Sequence, residues 1–313
     1  MANVRDYRTR IRSVKSTQQI TRAMKLVSAA KLRRAQDRIL AARPYARKML
    51  EVLSSLAARA NPEKHPLLAR RPEERVVVVV LTADKGLCGS FNTNILSRAR
   101  GLLDGLKDRQ VQVDLVGRKA RDWFRKRPYA TRRVLVDVFR NVTLDHAREI
   151  ASELMRGFIA AEIDAVHLVY NEFKSVIQQR VIVEPLLPIP RALFGAGTTG
   201  PEGAASLEQA GPEGAGGPEQ AGAPERAVED YIYEPGDRQL FEILLPKHVE
   251  IQVYRALLES SAAEHGARMT AMDNATRNAE EMIETLPLQM NKIRQASITK
   301  EILEVVSGAE ALR

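Results

Sequence analysis

Met24-Lys25-Leu26-Val27-Ser28-Ala29-Ala30-Lys31-Leu32-Arg33-Arg34-Ala35-Gln36-Asp37-Arg38-Ile39 sits inside residues 1–60, a stretch without a glycine. Working outward, hydrophobic or small residues recur at Val4, Tyr7, Ile11 and Val14, and again at Leu32, Ala35, Ile39, Ala42, Ala46, Met49, Leu53 and Leu56. That is the three-four spacing of a coiled-coil seam. Between the two runs the seam positions turn polar, at Gln18, Thr21, Lys25 and Ser28, while Ile20, Ala23, Met24, Val27 and Ala30 draw a second stripe on another face. Two readings stay open here: a slip in the supercoil, or a second contact surface used by another chain.

A seam needs a partner, and the other end of the chain offers one. Ile251, Tyr254, Leu258, Ala262, Met269, Met272, Thr276, Ala279, Ile283, Leu286, Met290 and Ile293 form a similar stripe that drifts between heptad and helical register. Charge supports the pairing. Residues 1–60 carry fifteen basic residues against Asp6, Asp37 and Glu51, whereas residues 250–313 carry seven basic and ten acidic ones. The whole chain is +9, so the positive excess is concentrated in the first stretch and only part of it can be neutralised by the second. The remaining basic face suits an acidic partner.

With 313 residues, 44% hydrophobic and 28% charged, the composition is that of a globular protein able to bury a sizeable core. No run of eighteen apolar residues is present, and Met1-Ala2-Asn3-Val4-Arg5 lacks the apolar segment of a signal peptide, so the expectation is a cytosolic chain without a membrane span. Cys88 alone cannot make an internal disulfide, and one cysteine with five scattered histidines offers no metal set, so neither metal nor cofactor is expected.

Between the ends the pattern changes period. Asn61-Pro62 should stop the first helix after about 57 residues, or about 85 Å, with Pro44 kinking it on the way. Val76-Val77-Val78-Val79-Val80-Leu81 is the unbroken apolar run of a strand buried on both faces. Helix is then expected over 93–106, strand over 111–116, a short helix around Trp123, strand over 133–139, helix over 144–160, and strands over 165–170 and 180–187. Alternating strands and helices imply a parallel-type α/β sandwich. Such a domain would be about 37 Å across, so a helix about 85 Å long should project from it. The last helix should begin near Asp237 or after Pro246. Residues 195–226 repeat Gly-Pro-Glu or Ala-Pro-Glu at Gly200, Gly211, Gly217 and Ala223 with almost no large apolar residue, the composition of a disordered loop.

Three other signals have plainer explanations. Asp84-Lys85-Gly86-Leu87-Cys88-Gly89 follows a strand and opens a helix, as phosphate loops do, but matches neither phosphate-loop nor dinucleotide fingerprint and reads as a tight turn. His146, His167, His248 and His265 lack catalytic companions. The basic run around Trp123 and Phe124 could track a nucleic acid, yet fits a solvated amphipathic helix better.

The string from Met24 to Gln36, together with Asn291-Lys292-Ile293-Arg294-Gln295-Ala296-Ser297-Ile298-Thr299-Lys300-Glu301-Ile302, closely resembles the two signature segments of the gamma subunit of F-type ATP synthases. The Asp84–Gly89 turn is similar to the same family's middle-domain turn. The resemblance implies a mixed α+β and α/β fold: a long antiparallel coiled coil of the terminal helices, residues 1–61 and 237–313, with a Rossmann-like α/β domain over 72–194; the disordered Gly/Pro/Glu-rich insertion, read from composition over 195–230, lies outside the resemblance. It implies a central rotor shaft with no catalytic residue of its own, turned by the c-ring and driving the beta subunits through their catalytic states. Partners would be the alpha and beta subunits, epsilon and the c-ring, with peripheral attachment at the cytoplasmic face of the cell membrane and no nucleic acid. Met24 and Lys25 would lie near the acidic lever loop of beta, and Arg268, Arg294, Gln295, Thr299 and Glu301 would carry polar contacts to the ring or within the shaft.

Two departures stand out. Pro287 interrupts a stretch that the family runs as unbroken helix, so a kink or lost hydrogen bond is expected there. The 195–226 insertion lacks the cysteine pair of the photosynthetic regulatory insert. The rival from another class is a basic coiled-coil protein that binds nucleic acid, and a nucleotide enzyme using Asp84 and Lys85 is a weaker third. Deleting residues 196–226 is expected to leave assembly and ATP hydrolysis nearly intact, since such loops contribute little packing. Hydrolysis and proton pumping of the reconstituted complex check this, a large loss of coupling marking the segment as regulatory.

Overall fold

The Val76–Leu81 run forms the central strand of a five-stranded sheet. In a computed structural model, which describes residues 4–59, 65–175, 178–190 and 236–310, β1 spans Arg75–Leu81, β2 Gln110–Val116, β3 Ala130–Leu135, β4 Ala165–Phe173 and β5 Gln179–Leu187. The helices are α1 (Val4–Arg59), α2 (Phe91–Gly105), α3 (Arg118–Phe124), α4 (Leu144–Ile159) and α5 (Asp237–Glu310). The chain divides into two compact units, one holding Met1–Ala30 with Arg268–Arg313, the other Lys31–Ala267.

In the second unit the strand order is β3-β2-β1-β4-β5. Val76, Val78 and Val80 pack with Phe91, Ile95, Ala99 and Leu103 of α2, Phe124 of α3 and Ala263 of α5. Val77, Val79 and Leu81 are equally buried and point to the opposite face. The connections β1-α2-β2 and β2-α3-β3 step one way across the sheet while β3-α4-β4 steps back past β1, so right-handed crossovers put α4 on that second face. Its buried stripe is Ala147, Ile150, Ala151, Leu154 and Phe158.

The three central pairings are parallel, but β5 joins β4 antiparallel. The sheet is therefore mixed, a parallel core with one antiparallel edge strand. Only residues 174–178 separate β4 from β5, too few for a crossover. Pro185 is tolerated in β5 because that strand lies at an edge.

The third strand, expected over 133–139, instead spans Ala130–Leu135 and ends earlier. Asp137 adopts a left-handed φ of 61° and Val138–Arg140 form a 3₁₀ turn. The cause is non-local. Asp84 Oδ1 accepts hydrogen bonds from the backbone N–H of Arg118 and of Asp137, both at 3.0 Å. Asn92 Oδ1 accepts from Ala83 N at 3.0 Å, and Thr82 Oγ1 accepts from Ala120 N at 2.8 Å. The glycine turn thus uses its polar groups to tie together the ends of β1, β2 and β3.

Prolines do not interrupt the long helices. Pro44 lies inside α1, and α5 starts at Asp237 and runs through both Pro246 and Pro287. Around Pro246, Phe241, Leu245 and Val249 are buried, and this packing outweighs the missing hydrogen bond. Beside Pro287, Thr285 Oγ1 donates to the Glu281 carbonyl at 3.0 Å. The helix stop expected at Asn61-Pro62 and the loop expected over 195–226 lie outside the described residues.

Gly117 tests the loop junction. Its φ is +96°, and a Cβ there would lie 2.0 Å from the Thr82 carbonyl oxygen. Gly117→Ala should therefore destabilise the chain by about 3 kcal/mol or more, through strain and a displaced loop. Denaturant unfolding measures it; a loss under about 1 kcal/mol would show that the loop yields freely.

Candidate interaction surface

The polar seam of the first unit is paired across two helices. Gln18 Nε2 donates to Glu280 Oε1 at 3.1 Å, and Lys25 Nζ contacts Asp273 Oδ1 at 2.5 Å. Between them Thr276 Oγ1 lies 2.8 Å from Thr21 Oγ1 and 2.8 Å from the Met272 carbonyl, while Thr21 donates to the Gln18 carbonyl at 3.0 Å. Partner numbers fall on α5 as they rise on α1, so the pair is antiparallel. Thr21, Ser28, Met272, Thr276, Ala279 and Leu286 are buried along it. The three-four spacing continues without a slip through Val14, Gln18, Thr21, Lys25, Ser28 and Leu32. Of the two readings left open, the slip is eliminated. Ile20, Leu26 and Val27 are each more than half exposed on the outer face.

The same register places the first described residue of α1 on α5. Pairing of Lys25 with Asp273 and Gln18 with Glu280 brings Val4 level with about Ile293. Beyond it every α5 residue from Arg294 to Ala309 is exposed. That overhang, about 24 Å long, carries Ile298, Ile302, Leu303, Val305 and Val306, with Val305 72% exposed. An apolar face left open to this degree marks a contact surface.

Comparison with known proteins settles the family. A sequence model described as ATP synthase matches residues 3–312. The chain is 50% identical to the ATP synthase gamma chain of Solibacter usitatus, over 99% of each chain, and 48% identical to that of Anaeromyxobacter sp. strain Fw109-5 over the full length of both. The chain belongs to the ATP synthase gamma-chain family. Among solved structures it resembles a chain of the Tetrahymena thermophila mitochondrial ATP synthase central stalk and c-ring, with TM-score 0.55, 28% identity, and 82% of this chain and 99% of that one covered. A chain of the Euglena gracilis mitochondrial ATP synthase shares the fold, with TM-score 0.62 at 19% identity and 99% and 94% covered.

Within this gamma-chain frame the residues singled out from sequence fall into two groups, both in the first unit. Met24, Lys25 and Arg268 lie within about two turns of one another along the coil. Met24 is half-buried, Arg268 is buried, and Lys25 is spoken for by Asp273, which also accepts from Arg277 Nη2 at 2.9 Å. The hydrogen bond from Lys25 holds the Asp273 carboxyl below its usual range. Arg294, Gln295, Thr299 and Glu301 stand some 30 Å farther along α5, all exposed on the overhang. Thr299 Oγ1 donates to the Gln295 carbonyl at 3.0 Å, and Ser297 Oγ reaches Glu301 at 3.4 Å.

The sequence reading missed Asp273 and Glu280 as partners of the polar seam, and it missed the apolar face of the gamma-chain overhang. Both had signals. Acidic residues sat at heptad positions facing Lys25 and Gln18, and Ile298, Ile302 and Val305 follow helical spacing. Among the described residues no helix is long and apolar enough to cross a membrane.

The buried threonine pair gives a quantitative check. Thr21→Val or Thr276→Val alone should cost about 1 kcal/mol by stranding the remaining hydroxyl, whereas the double replacement should recover most of it. A double-mutant cycle from denaturant unfolding reads the coupling; additive costs would mean that the two hydroxyls do not interact.

Proposed function

We propose that this chain is the non-catalytic central shaft of a rotary ATP synthase, turning within a ring of alpha and beta subunits while its α/β domain bears on epsilon and the c-ring. The observation that carries this reading is the overhang. A helix that exposes Ile298, Ile302, Leu303, Val305 and Val306 needs an apolar socket, and a ring of subunits around the shaft supplies one. The chain would attach peripherally at the cytoplasmic face of the membrane, needing no cofactor, metal or nucleic acid. Residues 1–61 and 237–313 would form the shaft, 72–194 the bearing domain, and 195–230 an insertion on it.

Coupling requires that the shaft interact differently with each conformation of its neighbours, since equal interaction shifts nothing. The coil is lopsided in this way: the outer face of α1 is apolar at Ile20, Leu26 and Val27, while the polar seam turns inward against α5. Met24 and Lys25 would face the acidic lever loop of beta. Arg268, Arg294, Gln295, Thr299 and Glu301 would make polar contacts with the ring or within the shaft. Exposed ion pairs of this kind contribute about 1 kcal/mol or less each. Torque therefore rests on steric fit, with charge setting preferred angles.

Lys25 has two claims on it, the lever loop and Asp273, and a charge exchange separates them. Lys25→Glu should leave the complex of alpha, beta and gamma assembled and able to hydrolyse ATP, but lower ATP-driven proton pumping several-fold. Lys25→Glu with Asp273→Lys restores the pair within the shaft and should not restore pumping. Recovery in the double variant would assign Lys25 to the shaft alone, and assembly of an active ring without gamma would count against the shaft altogether.

A further inference from the structure

The middle of α5 is unusual for a buried helix. Within the second unit Val253, Ala256, Leu257, Leu258, Ala262 and Ala263 are buried, yet so are Glu259, Ser260, Ser261, Glu264 and His265. Such a segment is normally apolar on every side.

Its charges meet the antiparallel edge of the sheet. Tyr170 Oη of β4 donates to Glu184 Oε2 of β5 at 2.6 Å, and Arg255 Nη2 of α5 donates to Glu184 Oε1 at 2.6 Å. Glu259 lies one turn on, its side chain only 6% exposed, with Oε1 4.0 Å from Arg255 Nε, at the outer limit of an ion pair. Glu172 of β4 and Arg43 of α1 are the other charges that act on it. Glu184 and Glu259 both face Arg255, and the short bond from Arg255 goes to Glu184. His248 adds no cation, because burial first and Arg255 second lower it to about 4. Glu264 and His265 follow on the same helix, both buried.

We propose that Glu259 is the proton-linked member of a clamp, formed with Arg255, Glu184 and Tyr170, that fastens α5 to the β4–β5 hairpin. Neutral Glu259 closes the clamp, and ionised Glu259 loosens it. Burial is the main cause that raises Glu259, to about 7, opposed by Arg255 and reinforced by Glu184 and Glu172. Burial likewise pushes Tyr170 well above its usual range, so its hydroxyl keeps the proton that it donates to Glu184. The sign follows from linkage. A carboxyl raised in the folded state stabilises it fully below the ordinary glutamate value, and that contribution is lost as pH rises toward the folded value. The clamp is thus strongest in mild acid and weakest above neutrality. It acts within one unit of the chain and does not depend on the proposed shaft.

Hydrogen exchange of the full-length chain tests it. After correction for intrinsic chemistry, the opening constant of amides in 254–262 and 168–172 should rise about tenfold per pH unit from roughly pH 5 to 7 and flatten above, one proton being released on opening. Glu259→Gln should flatten the profile and increase protection above neutrality. Infrared difference spectra of the native chain should show a protonated carboxylic acid that titrates with a midpoint of about 7. That measurement stands even if the variant fails to fold. A pH-independent opening constant in the native chain, or the absence of such a carboxylic acid, would overturn the proposal.

Discussion

The register of α1 on α5 in the first unit decides which side chains that unit keeps and which it offers. Three cross-helix polar contacts, Gln18 with Glu280, Thr21 with Thr276 and Lys25 with Asp273, set it. Apolar side chains at these positions would pack nearly as well one heptad along, because dispersion and hydrophobic burial are not directional. A hydroxyl facing a hydroxyl is directional: a slide would strand it in a buried seam at a cost of one or more kcal/mol. This is the kind of specificity a single polar seam residue confers on coiled coils. Once the register is set, Val4 falls level with about Ile293, and the α5 residues from Arg294 to Ala309 stand exposed.

The same helix solves two different problems along its length. From Arg294 onward its apolar residues face solvent, which is costly for a lone chain and sensible for one that seats in a partner. Around Glu259 the opposite holds, with carboxylates and hydroxyls taken out of water. Buried ionic groups seldom add stability relative to apolar replacements. Their value here lies in response, since a buried acid whose neighbouring guanidinium bonds another carboxylate couples local packing to protonation.

In the α/β domain the glycine turn after β1 shows why a motif can mislead. It sits where nucleotide-binding folds place a phosphate loop, but Thr82, Asp84 and Asn92 direct their oxygens at backbone N–H groups of neighbouring segments. The chemistry that could have met a ligand instead closes the end of the sheet. The early end of β3 has the same origin, because Asp84 reaches Asp137 across a long separation in sequence that no local pattern reports.

Periodicity and composition alone determined the long terminal helices, the buried central strand, the alternating elements and the concentration of positive charge in the first stretch. These depend on side-chain spacing and transfer free energy, which are local properties. Resemblance to the gamma subunit picked out Met24, Lys25, Arg268, Arg294, Gln295, Thr299 and Glu301 together, but not their division into a coil group and an overhang group some 30 Å apart. Tertiary structure alone decided that division, the antiparallel edge formed by β5, the unbroken course of α5 through Pro246 and Pro287, and the gathering of Tyr170, Glu184, Arg255 and Glu259. Each depends on which distant residues meet, and a one-dimensional pattern holds no term for the free energy of a contact until the fold has closed it.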